Sequence, residues 1–165
     1  MRYGPLHATR EGLVIGKVGG GDRSRRGEIL GDCAVLTPKA IVHRRSAEQV
    51  RTFEWNRLES AVLRLPMTDF RFPRLRHVLG VTVLGALGDD AGMVPDDGFL
   101  DLATTEEIYP LRITRHHTGG YWRPIVEATQ RLLDGLIEHP DRRATLADPQ
   151  PVLDVVAARA RRRRG

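Results

Sequence analysis

The sequence contains little cysteine, little lysine and few aromatic residues, and it has no long apolar run. Its single cysteine, Cys33, excludes an intrachain disulfide and fits a reducing compartment. No apolar stretch approaches the roughly 20 residues that a membrane-spanning helix needs. Residues 1–10 lack the apolar run of a signal peptide. These absences predict a cytoplasmic protein, one that could lie at the periphery of a membrane without crossing it.

Arginine carries almost all of the positive charge, since Lys17 and Lys39 are the only lysines and the formal net charge is +5. Arginine forks suit phosphate and carboxylate groups, which would favour an anionic partner. A GC-rich genome would also encode much arginine, and the sequence leaves both explanations open. Arg159 and residues 161–164 form a block of like charges, typical of a solvated tail. Residues 89–107 form an acidic run without lysine or arginine.

Turn residues divide the first two-thirds of the chain into short β-compatible stretches. Their spacing of about 8–12 residues favours an antiparallel sandwich or barrel over alternating strands and helices. The predicted strands cover residues 13–18, 28–36, 40–44, 50–55, 58–65, 78–87, 99–103 and 108–114.

Apolar side chains recur at helical spacing between residues 121 and 138, which predicts an amphipathic helix. The residues on this face are Trp122, Ile125, Val126, Thr129, Leu132, Leu133 and Leu136. Residues 141–151 are typical of a linker, and residues 152–164 could form a short second helix. A chain of 165 residues predicts one domain.

The predicted fold is therefore α+β. A mostly antiparallel β-barrel or sandwich of about seven strands, capped by one C-terminal amphipathic helix, occupies residues 1–139. Residues 140–165 are interpreted as a linker and a basic, arginine-rich tail.

Two stretches carry a family resemblance: VLTPKAIVH at residues 35–43 and RTFEWNRLESA at residues 51–61. With Trp122 and the helix face that follows it, they resemble a bacterial pleckstrin-homology-like domain of the GRAM-like kind, over residues 12–138. The resemblance implies a barrel closed by a C-terminal helix. It also implies a non-enzymatic binding module that docks on a protein partner or on an anionic, phosphate-bearing membrane surface.

A glycine-rich stretch after the first predicted strand is a candidate anion site. It lacks the Gly-Lys-Ser/Thr ending and the following helix of a nucleotide-binding loop. In pleckstrin-homology domains that bind inositol phosphates, the first loop carries a lysine followed by two basic residues with one residue between them. Lys17, Arg23 and Arg25 match this pattern. With Arg26, these residues are the candidate ligand-binding set. The alternative is a solvated turn.

A second basic stretch supports an alternative function, a small nucleic-acid-associated protein. Arg71, Arg74 and Arg76 are interleaved with Phe70 and Phe72. Aromatic rings can stack on bases while arginines bind phosphates. The arginine-rich tail would add contacts that do not depend on base sequence.

The sequence contains no recognisable catalytic centre. No histidine pair has the helical spacing of a zinc protease, and Cys33 lies in an apolar strand, where a small hydrophobic residue is usual. A metal-dependent hydrolase built on His116, His117 and the acidic run is the third alternative. We predict no catalytic residue, metal or cofactor, and we interpret the chain as a binding module.

Overall fold

The computed structural model describes residues 4–18, 29–45, 49–69, 97–115 and 120–162. Within these ranges the chain forms ten strands, two α-helices and two 3-10 segments. The strands are β1 Leu6–Thr9, β2 Gly12–Val18, β3 Ile29–Leu36, β4 Ala40–Arg45, β5 Gln49–Glu54, β6 Leu58–Arg64, β7 Met67–Thr68, β8 Gly98–Thr104, β9 Ile108–Ile113 and β10 Tyr121–Trp122. The helices are α1 Arg123–Glu138 and α2 Pro149–Arg162, and the 3-10 segments are Trp55–Arg57 and Pro140–Ala147.

The first five strands form one antiparallel sheet in the order β1-β2-β3-β4-β5. Successive side chains of a strand point to opposite faces, so each strand divides its apolar residues between the two sides of the sheet. The side chains on one side of this sheet pack into the main core: Leu13, Ile15, Ala34, Leu36 and Ile41. The other side carries a smaller buried cluster of Val14, Cys33 and Val35.

Threonine closes two of the hairpins in the same way. Thr37 donates its N–H to the carbonyl of Ala40, and its hydroxyl bonds to the same carbonyl at 2.8 Å. Thr104 donates its N–H and its hydroxyl to the carbonyl of Glu107. A side-chain hydroxyl that bonds nearby backbone groups stabilises a tight turn, which fixes the register of the strands on either side.

A second antiparallel sheet has the order β6-β8-β9, and α1 packs against β6. The chain enters α1 through a short parallel pairing of β10 with β7, in which Tyr121 donates its N–H to the carbonyl of Pro66 at 2.8 Å. Gly120 precedes this pairing with φ of 86°, and a Cβ at this position would lie 2.9 Å from the same carbonyl oxygen. Glycine is therefore required where the chain turns into the helix.

The side-chain amide of Gln130 joins α1 to the outer edge of β6. Its oxygen accepts the N–H of Leu63 at 2.8 Å, and its nitrogen donates to the carbonyl of Ala61 at 2.7 Å. The amide nitrogen also donates to Asp134 one turn along the helix. One side chain thus satisfies two backbone groups that a neighbouring strand would otherwise bond.

The two larger sheets meet where the start of β3 reaches the end of β9. Thr114 donates its N–H to the carbonyl of Asp32 at 2.7 Å, and the N–H of Asp32 bonds to the Thr114 hydroxyl. Gly31 has φ of 81°, and a Cβ there would come within 2.8 Å of that hydroxyl. The close approach of the two strands therefore depends on glycine at position 31.

The segment interpreted as a linker, residues 141–151, is instead part of the folded structure. The 3-10 segment buries Leu146, and α2 buries Leu153, Val156 and Ala160 in the main core. Helix α2 packs against α1, β1 and β2. The sequence indicated a short helix over residues 152–164 but not its burial, because only a few apolar residues of this stretch reach the core. No helix in the described ranges is long and apolar enough to cross a membrane.

Arg143 secures the turn between the two helices. It donates hydrogen bonds to the carbonyls of Leu136 and Ile137 at the end of α1. Its guanidinium also lies over the ring of Trp55, 5.8 Å from the ring centre. Because the last carbonyls of a helix lack partners within the helix, a cation at this position stabilises the helix end.

The structure confirms the α+β class, the antiparallel sheets and the C-terminal amphipathic helix. Seven of the predicted strands match β2, β3, β4, β5, β6, β8 and β9 to within about two residues. The predicted strand at residues 78–87 lies outside the described residues.

The predicted core face of α1 can be tested with two adjacent leucines. Leu133 is fully buried, whereas Leu132 is only partly buried. We expect Leu133→Ala to lower the free energy of unfolding by about 2–5 kcal/mol, because the cavity is enclosed on all sides. Leu132→Ala should cost less. Urea unfolding measures both, and a cost below about 0.5 kcal/mol for Leu133→Ala would contradict the packing of α1 on the sheet.

The closure of the β6 edge by Gln130 gives a second test. Gln130→Ala leaves two backbone groups without a partner, so we expect the free energy of unfolding to fall by about 1–3 kcal/mol. Gln150→Ala is the matched control, since the exposed amide of Gln150 donates to Asp154 on its own helix and bonds to no other side chain or strand in the described ranges. Equal costs for the two variants in urea unfolding would show that Gln130 does not close the edge.

Candidate ligand-binding cleft

The hydrogen bonds of the hairpins determine which backbone groups of β5 face away from the sheet. The bond from Thr37 N–H to the Ala40 carbonyl makes these residues a hydrogen-bonded pair. Hydrogen-bonded and non-bonded pairs alternate along antiparallel strands, and each strand bonds its two neighbours through alternate residues. In β5, Arg51 and Phe53 therefore bond to β4, whereas the N–H and C=O of Thr52 point to the edge that no described strand covers, called the open edge below.

The same alternation shows that the facing edge, β9, is already occupied along part of its length. The Thr104–Glu107 bond places the backbone groups of residues 108, 110 and 112 on the outer side. Pro110 has no N–H to offer there. The ring nitrogen Nε2 of His43 lies 2.9 Å from the carbonyl of Arg112 and donates to it. The outward side of β9 therefore lacks one N–H, at Pro110, and has one carbonyl already bonded, at Arg112.

A cleft of about 1020 Å³ lies between β5 and the turn that joins β8 to β9. The residues along it come from β5, the 3-10 segment Trp55–Arg57, the start of β6 and the β8–β9 hairpin. A smaller pocket of about 200 Å³ extends beside it along β4 and β9. Arg51 lines both spaces, so we treat them as one site, the β5–β9 cleft.

The floor of the β5–β9 cleft is aromatic. The rings of Phe53 and Tyr109 are tilted by 59° with their centres 5.1 Å apart, which is a favourable aromatic arrangement. Both side chains are partly buried and pack against the main core. The two rings therefore form a fixed apolar surface between the strands.

Charge is distributed unevenly along the cleft. One end carries Arg45, Arg51 and Arg112, and the other carries Glu54, Glu59 and Glu106 together with Arg57, which lies 3.7 Å from Glu54.

The arginines of the basic end differ in how their charge is balanced. Arg112 is hydrogen-bonded to Asp97, which raises the pKa of the Arg112 guanidinium above its ordinary value. Arg45 and Arg51 are exposed and form no ion pair with any residue that the structure describes. These two arginines can therefore accept an anionic group without first losing an ion pair to any described residue.

Of the predicted anion-site residues, only Lys17 falls within the described ranges, where it is exposed on β2 and does not line the cleft. Arg23, Arg25 and Arg26 lie outside the described residues, as do Arg71, Arg74 and Arg76 of the nucleic-acid alternative. His116 and His117 of the hydrolase alternative are outside as well. Across the described ranges, no group of three or more His, Cys, Asp or Glu side chains could hold a metal ion.

Sequence reasoning did not single out Arg45, Arg51, Phe53 or Tyr109 as site residues. One signal was present, because Arg51 and Phe53 alternate with Val50 and Thr52 and so share one face of a strand. An arginine beside a phenylalanine on the inward face is unusual, since that face is expected to be apolar. The position of β9 opposite this face could not be read from the sequence.

Comparisons of this chain with protein-family models, with curated proteins and with solved structures find no match.

Cys33 provides a test of the outer side of the first sheet. Burial raises the pKa of its thiol from the ordinary 9.0 to about 11, although the charge of Arg44 partly opposes the rise. The thiolate is the reactive form, so at pH 8 we expect alkylation by iodoacetamide to be roughly 100-fold slower than for a free thiol. Mass spectrometry with urea-unfolded protein as the control measures this. Equal rates in folded and unfolded protein would show that Cys33 is accessible.

Proposed function

We propose that this protein is a non-enzymatic binding module that docks on a protein partner through the β5–β9 cleft. The observation that carries the proposal is the position of Arg51. Its exposed guanidinium lacks an ion-pair partner among the described residues and lies at the junction of the two parts of the cleft.

The chemistry of the cleft suits a chain segment with both apolar and acidic side chains. Phe53 and Tyr109 provide an aromatic surface, and burial of such rings contributes strongly to protein interfaces. A carboxylate that reaches Arg51 would form a charge-assisted hydrogen bond, which is roughly twice as strong as a neutral one. The cleft runs along strand β5, so it matches an elongated segment better than a compact metabolite.

As part of the same proposal, we interpret the strands as a pleckstrin-homology-like barrel. A meander of strands, then a second antiparallel sheet, then an amphipathic helix is the element order that this interpretation requires. The hydrogen bonds between Asp32 and Thr114 join the sheets at one corner, which supports it. In this interpretation the β5–β9 cleft is the corner at which the barrel stays open.

An anionic membrane surface is the alternative partner, and it has support elsewhere in the molecule. Arg159, Arg161 and Arg162 are exposed at the end of α2. Basic residues near an anionic bilayer contribute about 1 kcal/mol each. These arginines do not line the β5–β9 cleft, so variants in the cleft distinguish the two partners.

The proposal predicts that Arg51 is required for binding to peptides. The probe is a library of labelled short peptides, each with one acidic and one aromatic or aliphatic residue at varied spacing, measured by fluorescence anisotropy. Arg51→Ala should weaken binding of the peptides that the wild-type protein selects by at least ~10-fold, because a charge-assisted contact is lost. Arg131→Ala removes the same charge from α1, where Arg131 faces Glu127, and should have little effect.

Parallel measurements test the two alternative partners, an anionic membrane and a nucleic acid. Phosphatidylcholine vesicles with and without phosphatidylserine, and a short DNA duplex, are titrated against the same variants. If no peptide binds, or if Arg51→Ala and Arg131→Ala weaken peptide binding equally, the cleft is not the docking site. Binding to anionic vesicles or to duplex alone, unaffected by Arg51→Ala, would point to the membrane or the nucleic-acid alternative.

A further inference from the structure

We infer that β5 binds its partner by strand addition: an extended peptide with the pattern apolar-x-acidic pairs antiparallel with the open edge of β5. This inference rests on the proposed function, because it specifies how a protein partner would occupy the same cleft. To the proposed function it adds the binding mode, the direction of the bound peptide and the pattern of its side chains.

Edge strands expose rows of unpaired N–H and C=O groups, and proteins usually close or protect them. Both described edges of the second sheet are closed or protected at least in part. Gln130 bonds to the backbone of Ala61 and Leu63 in β6, and β9 carries Pro110 and the hydrogen bond from His43. In the first sheet, α2 packs against β1.

Strand β5 differs from these edges. Within the described ranges its only strand neighbour is β4. Its sequence, QVRTFE, contains neither proline nor lysine, and its charged residues are Arg51 and Glu54. Val50 is 55% exposed on its outer face, so the strand also offers apolar surface beside the backbone groups that no described strand bonds. An edge of this kind is suited to pairing with a further strand.

The register of such a pairing follows from the alternation already described. Thr52 presents its N–H and C=O to the open edge, so one residue of the bound peptide, x, exchanges both hydrogen bonds with Thr52. The two neighbours of x in the peptide lie opposite Arg51 and Phe53. Their side chains point into the cleft, because residues two apart on a strand share a face.

The side chains of the cleft determine which residues fit on either side of x. The neighbour opposite Phe53 meets two aromatic rings and should be apolar. The neighbour opposite Arg51 meets an exposed cation and should be Asp or Glu. The first sheet is entirely antiparallel, and sheets of a single type are favoured over mixed ones. An antiparallel peptide passes Phe53 first, which gives the order apolar-x-acidic from N- to C-terminus.

The test uses labelled peptides of about ten residues, long enough to pair along a strand of typical length. One Phe, Leu or Ile stands two residues before one Asp or Glu, and the remaining residues are Ser, Thr and Gly. The control set has the same composition in the order acidic-x-apolar. We expect the first set to bind the wild-type protein at least ~10-fold more tightly, since the control order places the carboxylate at Phe53 instead of Arg51.

Two further changes test the backbone pairing itself. Thr52→Pro removes the outward N–H and should weaken binding of the apolar-x-acidic set by ~10-fold or more, whereas Thr52→Ala keeps the N–H and should change binding by less than about twofold. N-methylation of x in the peptide should abolish binding to the unchanged protein. N-methylation of the acidic residue, whose N–H points away from β5, should not.

The outcomes separate this inference from the proposed function. If Arg51→Ala weakens peptide binding but N-methylation of x and Thr52→Pro do not, the cleft binds peptides without strand addition, and only the present inference is overturned. If the acidic-x-apolar set binds more tightly, the antiparallel direction is wrong and the inference fails. If neither set binds the wild-type protein, the present inference fails, and the proposed function fails with it only when no peptide of the varied-spacing library binds either. Should Thr52→Pro unfold, the N-methylated peptides decide the question.

Discussion

Backbone groups at the edges of strands need hydrogen-bond partners, and this requirement determines how the helix α1 and the two larger sheets are positioned. At β6 the partner is a helix side chain, the amide of Gln130, so α1 is held at a fixed height along the second sheet. At the end of β9 the partner is the start of β3, so the two sheets are held at a fixed corner. The β5–β9 cleft lies where the described strands leave this requirement unmet.

Much of the fold could be predicted from the sequence because its elements have regular patterns. Turn residues separate short stretches of β-compatible residues, β8 buries alternate residues, and α1 repeats its apolar side chains at helical spacing. Local rules of this kind depend only on neighbouring residues. They therefore gave the positions of β2 to β6, β8, β9 and α1 without knowledge of how these elements pack.

The α2 region shows where local rules are insufficient. Its buried residues Leu153, Val156 and Ala160 are spaced as on a helix face, but the arginines that follow indicate a solvated tail. The arginines are indeed exposed on one side of α2, while the small alanine packs against the core on the other. Composition averages over both sides of a helix, so it conceals a narrow apolar stripe.

The β5–β9 cleft could not be predicted, because it is formed by contacts between distant parts of the chain. Arg51 and Phe53 belong to one sheet, and Tyr109 belongs to the other. Only the three-dimensional arrangement places Tyr109 against Phe53 and the carbonyl of Arg112 against His43. The basic residues that the sequence did suggest, such as Lys17, were selected from a local pattern, and local charge does not reveal which cations lack partners.

The contact of α2 with β1 and β2 has a consequence for synthesis of the chain. Ribosomes release the N-terminal part first, so the meander of β1 to β5 leaves long before α2. Until α2 arrives, the inner residues of the first strands, among them Leu6 and Leu13, lack part of the core that covers them. The nascent chain thus exposes an apolar surface until α2 has been synthesised and packs against it.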